Sequence, residues 1–214
     1  MVEIVYIIAC SELMVSNMKE PDSNPQTQEV ELVEKLRQGD TDALEQLYRR
    51  YIDRVYSLVF YQVGRDKSAA EDIVQETFLS AINSVGKFRG KSKLYTWLCS
   101  IAYHKVADFY RRQGRQARHG ELPSAISAEE LDKVQDSDIL TSSQIESEEG
   151  RQVVEQALLS LPLDYRQVLV LKYAEQMPVS EISLVMRRSP KSVEGLLTRA
   201  RKTLRASLAG SSEG

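Results

Sequence analysis

The sequence predicts an all-α protein, two small helical domains joined by an acidic flexible linker, the C-terminal one a helix-turn-helix domain of four helices. Three observations predict it. Apolar residues recur in steps of three and four along most of the chain, the period of a helix with one face on a core. No stretch keeps the period-2 alternation that a half-buried strand between turns requires. Residues 114–149 are rich in Ser, Glu, Asp and Gln and poor in aromatics, so they bury too little apolar surface to offset their ordering entropy.

The elements follow in order. Residues 1–27 are read as a disordered extension. The apolar run Val2–Cys10 is short, contains Glu3 and has no basic flank, so it does not resemble a signal peptide; Met14 and Met18 are alternative starts. A short helix over about 28–38 ends at Gly39. Asp40 or Thr41 then caps a long helix whose core stripe is Leu44, Leu47, Tyr48, Tyr51, Val55, Leu58 and Val59, ending at Gly64. A third helix spans 67–84 with Ile73, Val74, Thr77, Phe78 and Ala81 inward, and a fourth runs from about Ser92 to Arg112 and stops at Gly114. Helices resume after the linker. Val153, Val154, Ala157, Leu158 and Leu161 form one stripe, broken by Pro162, and Tyr165, Val168, Leu169 and Leu171 a second. A short helix holding Glu181, Ile182, Leu184, Val185 and Met186 follows, and Ser189-Pro190 opens the last, with Ser as N-cap and Pro at the first helical position. Residues 209–214 are a tail.

The net charge of −3 argues against a nucleic-acid partner until it is resolved along the chain. Residues 81–119 hold nine Lys or Arg against one Asp, and residues 165–208 nine against three Glu. Between them, residues 120–150 hold nine acidic residues against one Lys. Two basic segments thus flank an acidic one, and each is either a polyanion-binding surface or a solvated face. Cys10 and Cys99 stand apart without a C-x-x-C pair, and His104 and His119 are too few for a metal cluster. No disulfide, metal or cofactor is expected, and a reduced, cytoplasmic setting fits. No apolar run nears the roughly 20 residues that span a bilayer. There is no Gly-rich phosphate loop and no nucleophile–base pair, which points away from an enzyme.

Two constellations carry function. A short helix ending near Met186, a turn through Arg187-Arg188-Ser189 and a basic helix from Pro190 to Leu208 make a helix-turn-helix. Its second helix buries Val193, Leu197, Ala200 and Leu204. Lys191, Ser192, Glu194, Gly195, Thr198, Arg199 and Lys202 are left for duplex DNA, with Arg187 and Arg188 on phosphates. The other reading of this segment is a basic surface helix in a bundle. In residues 86–112, Phe88, Lys91, Lys93, Tyr95 and Trp97 interleave cations with rings, and Lys105, Arg111 and Arg112 lie behind them. Unpaired strands are held by that combination, cations on the backbone and rings on the bases. Phe88 and Trp97 also suit a core.

The stretch Asp42–Tyr51, the run Ala70-Glu71-Asp72-Ile73-Val74-Gln75-Glu76-Thr77-Phe78-Leu79, then Phe88-Arg89-Gly90 and Thr96-Trp97-Leu98 together resemble the extracytoplasmic-function (ECF) sigma factors of the sigma-70 family. Leu161–Leu169 and Arg199–Arg205 resemble the same family, in the same order, so the likeness covers about residues 28–112 and 150–208. The resemblance implies that 28–113 is sigma region 2 and 150–208 sigma region 4. It implies docking of Asp72, Gln75 and Glu76 on the clamp helices of the largest subunit of core RNA polymerase. The loop at 88–96 with its helix would open and hold the minus-ten element, the helix-turn-helix would read the minus-thirty-five element as duplex, and the linker would thread between. Promoter DNA and an anti-sigma factor are the other implied partners, with no membrane insertion. Four places depart from the family pattern: Tyr95, where Arg is common before Thr-Trp-Leu; Tyr103-His104; Met177-Pro178; and Glu194-Gly195-Leu196 in the recognition helix. A free-standing helix-turn-helix regulator is the alternative, and the 28–112 domain discriminates, because such a regulator needs no strand-opening loop.

Overall fold

The computed structural model describes residues 25–117 and 148–210. The extension 1–24, most of the expected linker (118–147) and the end of the tail (211–214) lie outside the described residues. Among the described residues all regular structure is helical.

Helix α1 covers Pro25–Arg37, starting three residues before the expected boundary, and α2 covers Thr41–Gln62. The chain reverses between them at Gly39, whose φ of 77° only glycine adopts without strain. Asp40 caps α2 by accepting from the backbone N–H groups of Asp42 and Ala43 at 2.8 and 3.2 Å. Gly64 (φ 71°) closes it, and Asp66 caps α3, Lys67–Ser84, through the Ala69 N–H. After a 3₁₀ turn at Val85–Lys87, α4 spans Leu94–Ala117. Gly114 does not stop α4 as expected. It is exposed and outside the left-handed region, and a glycine in a helix interior costs only about 1 kcal/mol. The expected linker boundary at 114 thus falls inside α4.

In the second half, α5 is Glu148–Ser160, and α6, Leu163–Leu169, widens into a π-turn at Val170–Ala174. Then α7, Val179–Met186, and α8, Pro190–Gly210, form the helix-turn-helix. Arg187 ends α7 in the left-handed conformation (φ 53°), and Ser189 Oγ accepts from the Ser192 N–H at 3.2 Å to start α8.

The inward faces follow the sequence with a few differences. Tyr48, Val153 and Leu184, assigned to core stripes, are exposed, and Leu196, left out of one, is buried. Tyr48 lays its ring beside Phe78 (5.1 Å) at the rim of α2 and α3. The halves do not stand apart. Helix α4 packs on α7, and one continuous core runs from Leu32 to Leu208. At the seam the Gln167 amide donates to Gln62 Oε1 at 3.2 Å and to the Tyr103 carbonyl at 3.3 Å. Buried Arg166 lies over the Tyr110 ring (4.9 Å).

Candidate nucleic-acid interface

Helix α8 presents its polar side as a row. Lys191, Glu194, Thr198 and Lys202 are exposed, three to four residues apart, and so share one face. Ser192, Gly195 and Arg199 flank that row, half-buried. Val193, Leu196, Leu197, Ala200 and Leu204 hold the opposite face against α6 and α7. The turn aims its two arginines differently. Arg187 is exposed, whereas Arg188 is ion-paired to Asp164 at the start of α6, which pins the turn to the domain beneath it.

On the N-terminal half, Arg37 of α1 donates to the Phe88 carbonyl and so fixes the loop after the 3₁₀ turn. Phe88 is buried against half-buried Trp97, ring centres 5.1 Å apart. A groove of about 520 Å³ opens between α1 and this loop, lined by Val30, Val33, Phe88, Arg89, Lys91 and Lys93 among others. Lys91 and Lys93 are exposed on its rim. Tyr95 is buried, stacked on Tyr51 with ring centres 5.9 Å apart. Burial, then Cys99 and Glu175, pushes its phenol far above the ordinary range, so it stays protonated and donates.

Two of the residues expected to meet the minus-ten strand, Lys105 and Arg112, lie beside those expected to meet polymerase. Asp72 and Gln75 are exposed on α3. Half-buried Glu76 on the same helix takes Lys105 of α4 at 3.0 Å and Arg112 at 3.9 Å. Arg111 is paired with Asp108 one turn back. The Lys105 and Arg112 cations therefore sit beside the acidic helix, not on a separate surface.

Sequence reading missed Arg54, Glu175 and Glu181. Arg54 of α2 lies 3.7 Å over the Tyr95 ring and pairs with Glu175 at 3.4 Å. Glu181, noted only as part of a helix, pairs with Lys93 at 3.0 Å. Neither contact leaves a sequence signal, because the partners lie on opposite sides of the linker. Among the described residues no group of three or more His, Cys, Asp or Glu is placed to hold a metal ion, and no helix is long and apolar enough to cross a membrane.

A basic helix-turn-helix and a second helical unit with a ring-and-cation loop are the two parts that the resemblance to sigma-70-type factors leads one to expect. Comparison with known families agrees: Sigma-70 region 2 matches residues 47–116 and Sigma-70 region 4 matches residues 151–204. The ECF RNA polymerase sigma-E factor of Escherichia coli (strain K12) is 32% identical over 175 residues, 81% of this chain and 90% of that protein. The ECF RNA polymerase sigma factor BldN of Streptomyces coelicolor is 30% identical over 178 residues, 82% of this chain but 64% of that protein. The chain belongs to the ECF sigma factors. Its fold is that of CnrH solved in complex with the cytosolic domain of CnrY (TM-score 0.60, 24% identity, 85% of this chain and 97% of that one). RpoE of Bartonella quintana, solved in complex with the anti-sigma factor NepR, is also similar (TM-score 0.56, 20% identity, 77% and 96%). The region 2 match sets aside the free-standing regulator, which would need no such domain.

Proposed function

We propose that the chain is a promoter-specificity subunit of RNA polymerase that acts in the cytoplasm and does no covalent chemistry itself. Residues 28–113 serve as the polymerase and minus-ten domain and 150–208 as the minus-thirty-five domain. Asp72, Gln75 and Glu76 on α3 meet the clamp helices of the largest polymerase subunit. Lys91, Lys93 and Trp97, with Lys105, Arg111 and Arg112, take the minus-ten strand once it is unpaired, Phe88 holding Trp97 from beneath and Tyr95 joining when its buried ring is uncovered. Stacking recovers about 1–3 kcal/mol per base, against about 1–2 kcal/mol of duplex stacking lost per step. Helix α8 enters the major groove, with Lys191, Ser192, Glu194, Gly195, Thr198, Arg199 and Lys202 toward bases and phosphates and Arg187 and Arg188 beside them. Glu194 accepts from a cytosine amino group, a preference that departs from the family's usual basic or small polar residue there.

The observation that carries this reading is the pairing, in one chain, of a region 2 unit whose ring-and-cation loop borders a groove with a helix-turn-helix whose polar row is exposed. An anti-sigma partner is part of the proposal, since the sigma factor RpoE, of similar fold, was solved in complex with the anti-sigma factor NepR. The test is run-off transcription with core polymerase on genomic fragments, with the start sites mapped. Discrete start sites sharing two upstream elements are expected. A chain that binds DNA but never associates with core polymerase would overturn the proposal.

A further inference from the structure

Glu175 and Glu181 belong to the C-terminal half, yet both carboxylates serve the strand-binding edge of the N-terminal half. Glu175 follows the π-turn, and its Oε2 accepts from the Tyr95 hydroxyl at 2.5 Å and from Arg54 Nη2 at 3.4 Å. Glu181 sits in the first turn of α7, takes Lys93 Nζ on one oxygen at 3.0 Å and accepts from Thr96 Oγ1 on the other at 2.9 Å. The two carboxylate side chains keep 11% and 20% of their exposure, while Arg54 and Lys93 keep 51% and 70%. Arg54, Lys93, Tyr95 and both carboxylates line one open groove of about 1010 Å³.

Two cations, a ring and a hydroxyl on one edge are what an unpaired nucleotide strand needs, and here each is occupied by a carboxylate or lies against one that is. Carboxylate oxygens satisfy Arg, Lys and hydroxyl donors as phosphate oxygens do. We propose that Glu175 and Glu181 stand in for two phosphates of the unpaired promoter strand and hold the free chain closed. On opening, Arg54 becomes a further strand-binding cation beside Tyr95. The inference rests on the strand-opening role argued above and names its gate. A strand that binds only the open form meets a chain whose competent fraction is small, and its apparent affinity falls by that fraction. Docking on polymerase separates the halves and removes the mask, so unpaired DNA is engaged only in the assembled enzyme.

The test uses the full chain and a labelled 15-nucleotide single-stranded DNA followed by anisotropy. Glu175→Gln with Glu181→Gln is expected to tighten binding about tenfold and to enlarge the radius of gyration in X-ray scattering. Adding Arg54→Gln is expected to cancel most of the gain. A control pair with the same charge change at two exposed positions that do not line the groove, Asp53→Asn with Glu71→Gln, is expected to gain far less. Reversing one ion pair, Lys93→Glu with Glu181→Lys, is expected to restore the compact radius that Glu181→Lys alone loses. Unchanged affinity and radius in a double variant of native helicity would overturn the mask, as would an equal gain in the control pair. A gain that survives Arg54→Gln would overturn the role of Arg54. If the double variant is not helical, the Glu181→Lys and Lys93→Glu comparison decides alone. Run-off transcription by the wild-type chain separates the two readings. Transcription without any gain in the variants overturns only the mask, whereas no association with core polymerase overturns the underlying function.

Discussion

At the scale of single residues, the polar atoms between the halves are the informative ones. His104 of α4 has a buried Nε2 with no hydrogen-bond partner, and Arg187 at the end of α7 is the charge that faces it. Burial first, and then the Arg187 cation, holds its pKa below the ordinary 6.5. The neutral ring is the form that fits. A folded-state pKa below the unfolded value means that the contribution is present above pH 6.5 and is lost as the pH falls through the folded value. Tyr103 lies against it, but burial first, and then Asp164, holds that phenol above its ordinary range, so it stays protonated across that window. The thermal midpoint of the wild type is therefore expected to drop more between about pH 7 and pH 5 than that of His104→Gln, whose amide cannot gain a proton. Parallel midpoint curves for the two proteins would show that His104 is not the titrating group.

At the scale of elements, Gly195 is the weak point of α8. It is helical, half-buried and beside the row proposed to meet DNA, and a Cβ there would meet only Arg199 Nη1, at an ordinary 3.6 Å. Gly195→Ala is thus expected to stabilise the chain by about 0.5–1 kcal/mol, read as a shift of the denaturant midpoint at constant m. It should also alter the bases preferred opposite that turn, seen by selection from randomised duplexes, because the methyl enters the groove. A destabilised variant would mean that the backbone there is closer to its neighbours than it stands. The helices themselves were legible because each boundary carries its own chemistry. Gly39 and Asp40, Gly64, and Ser189-Pro190 marked where α2, α3 and α8 begin, and α3 matches its expected span of 67–84. Gly114 misled because an exposed helical glycine costs too little to end a helix of 24 residues. Tyr48, Val153 and Leu184 misled because periodicity gives a face but not how far the partner helix covers it. In the candidate site the exposed row of α8 was readable from spacing alone. The carboxylate edge was not: Tyr95 and Glu175 lie 80 residues apart, Arg54 and Glu175 121, and docking between separate helices imposes no repeat.

At the scale of the whole molecule, the closed arrangement and the proposed function set a length requirement on the segment between α4 and α5. The minus-ten and minus-thirty-five elements lie, by their names, roughly 25 base pairs apart, about 85 Å of duplex at 3.4 Å per pair. A globular unit of the size of either half has a radius of gyration of only about 11–12 Å. The halves themselves bridge about 30 Å of that distance, which leaves about 55 Å to the chain that joins them. From Ala117 to Glu148 the sequence supplies residues 118–147, whose fully extended reach is about 100 Å at 3.3–3.6 Å per residue. Deleting residues 124–141 would leave a reach of about 40 Å, too short for both promoter elements. The shortened chain is expected to keep the wild-type radius of gyration, its association with core polymerase and the duplex binding of α8. Run-off transcription from a promoter that needs both elements should fall at least tenfold. The deleted stretch is acidic, so a full-length variant with its Asp and Glu changed to Asn and Gln separates length from charge. Transcription should survive the neutralisation and fail on the shortening. Full activity in the shortened chain would mean that the halves need not part to reach both elements, and the closed form would then be compatible with the promoter.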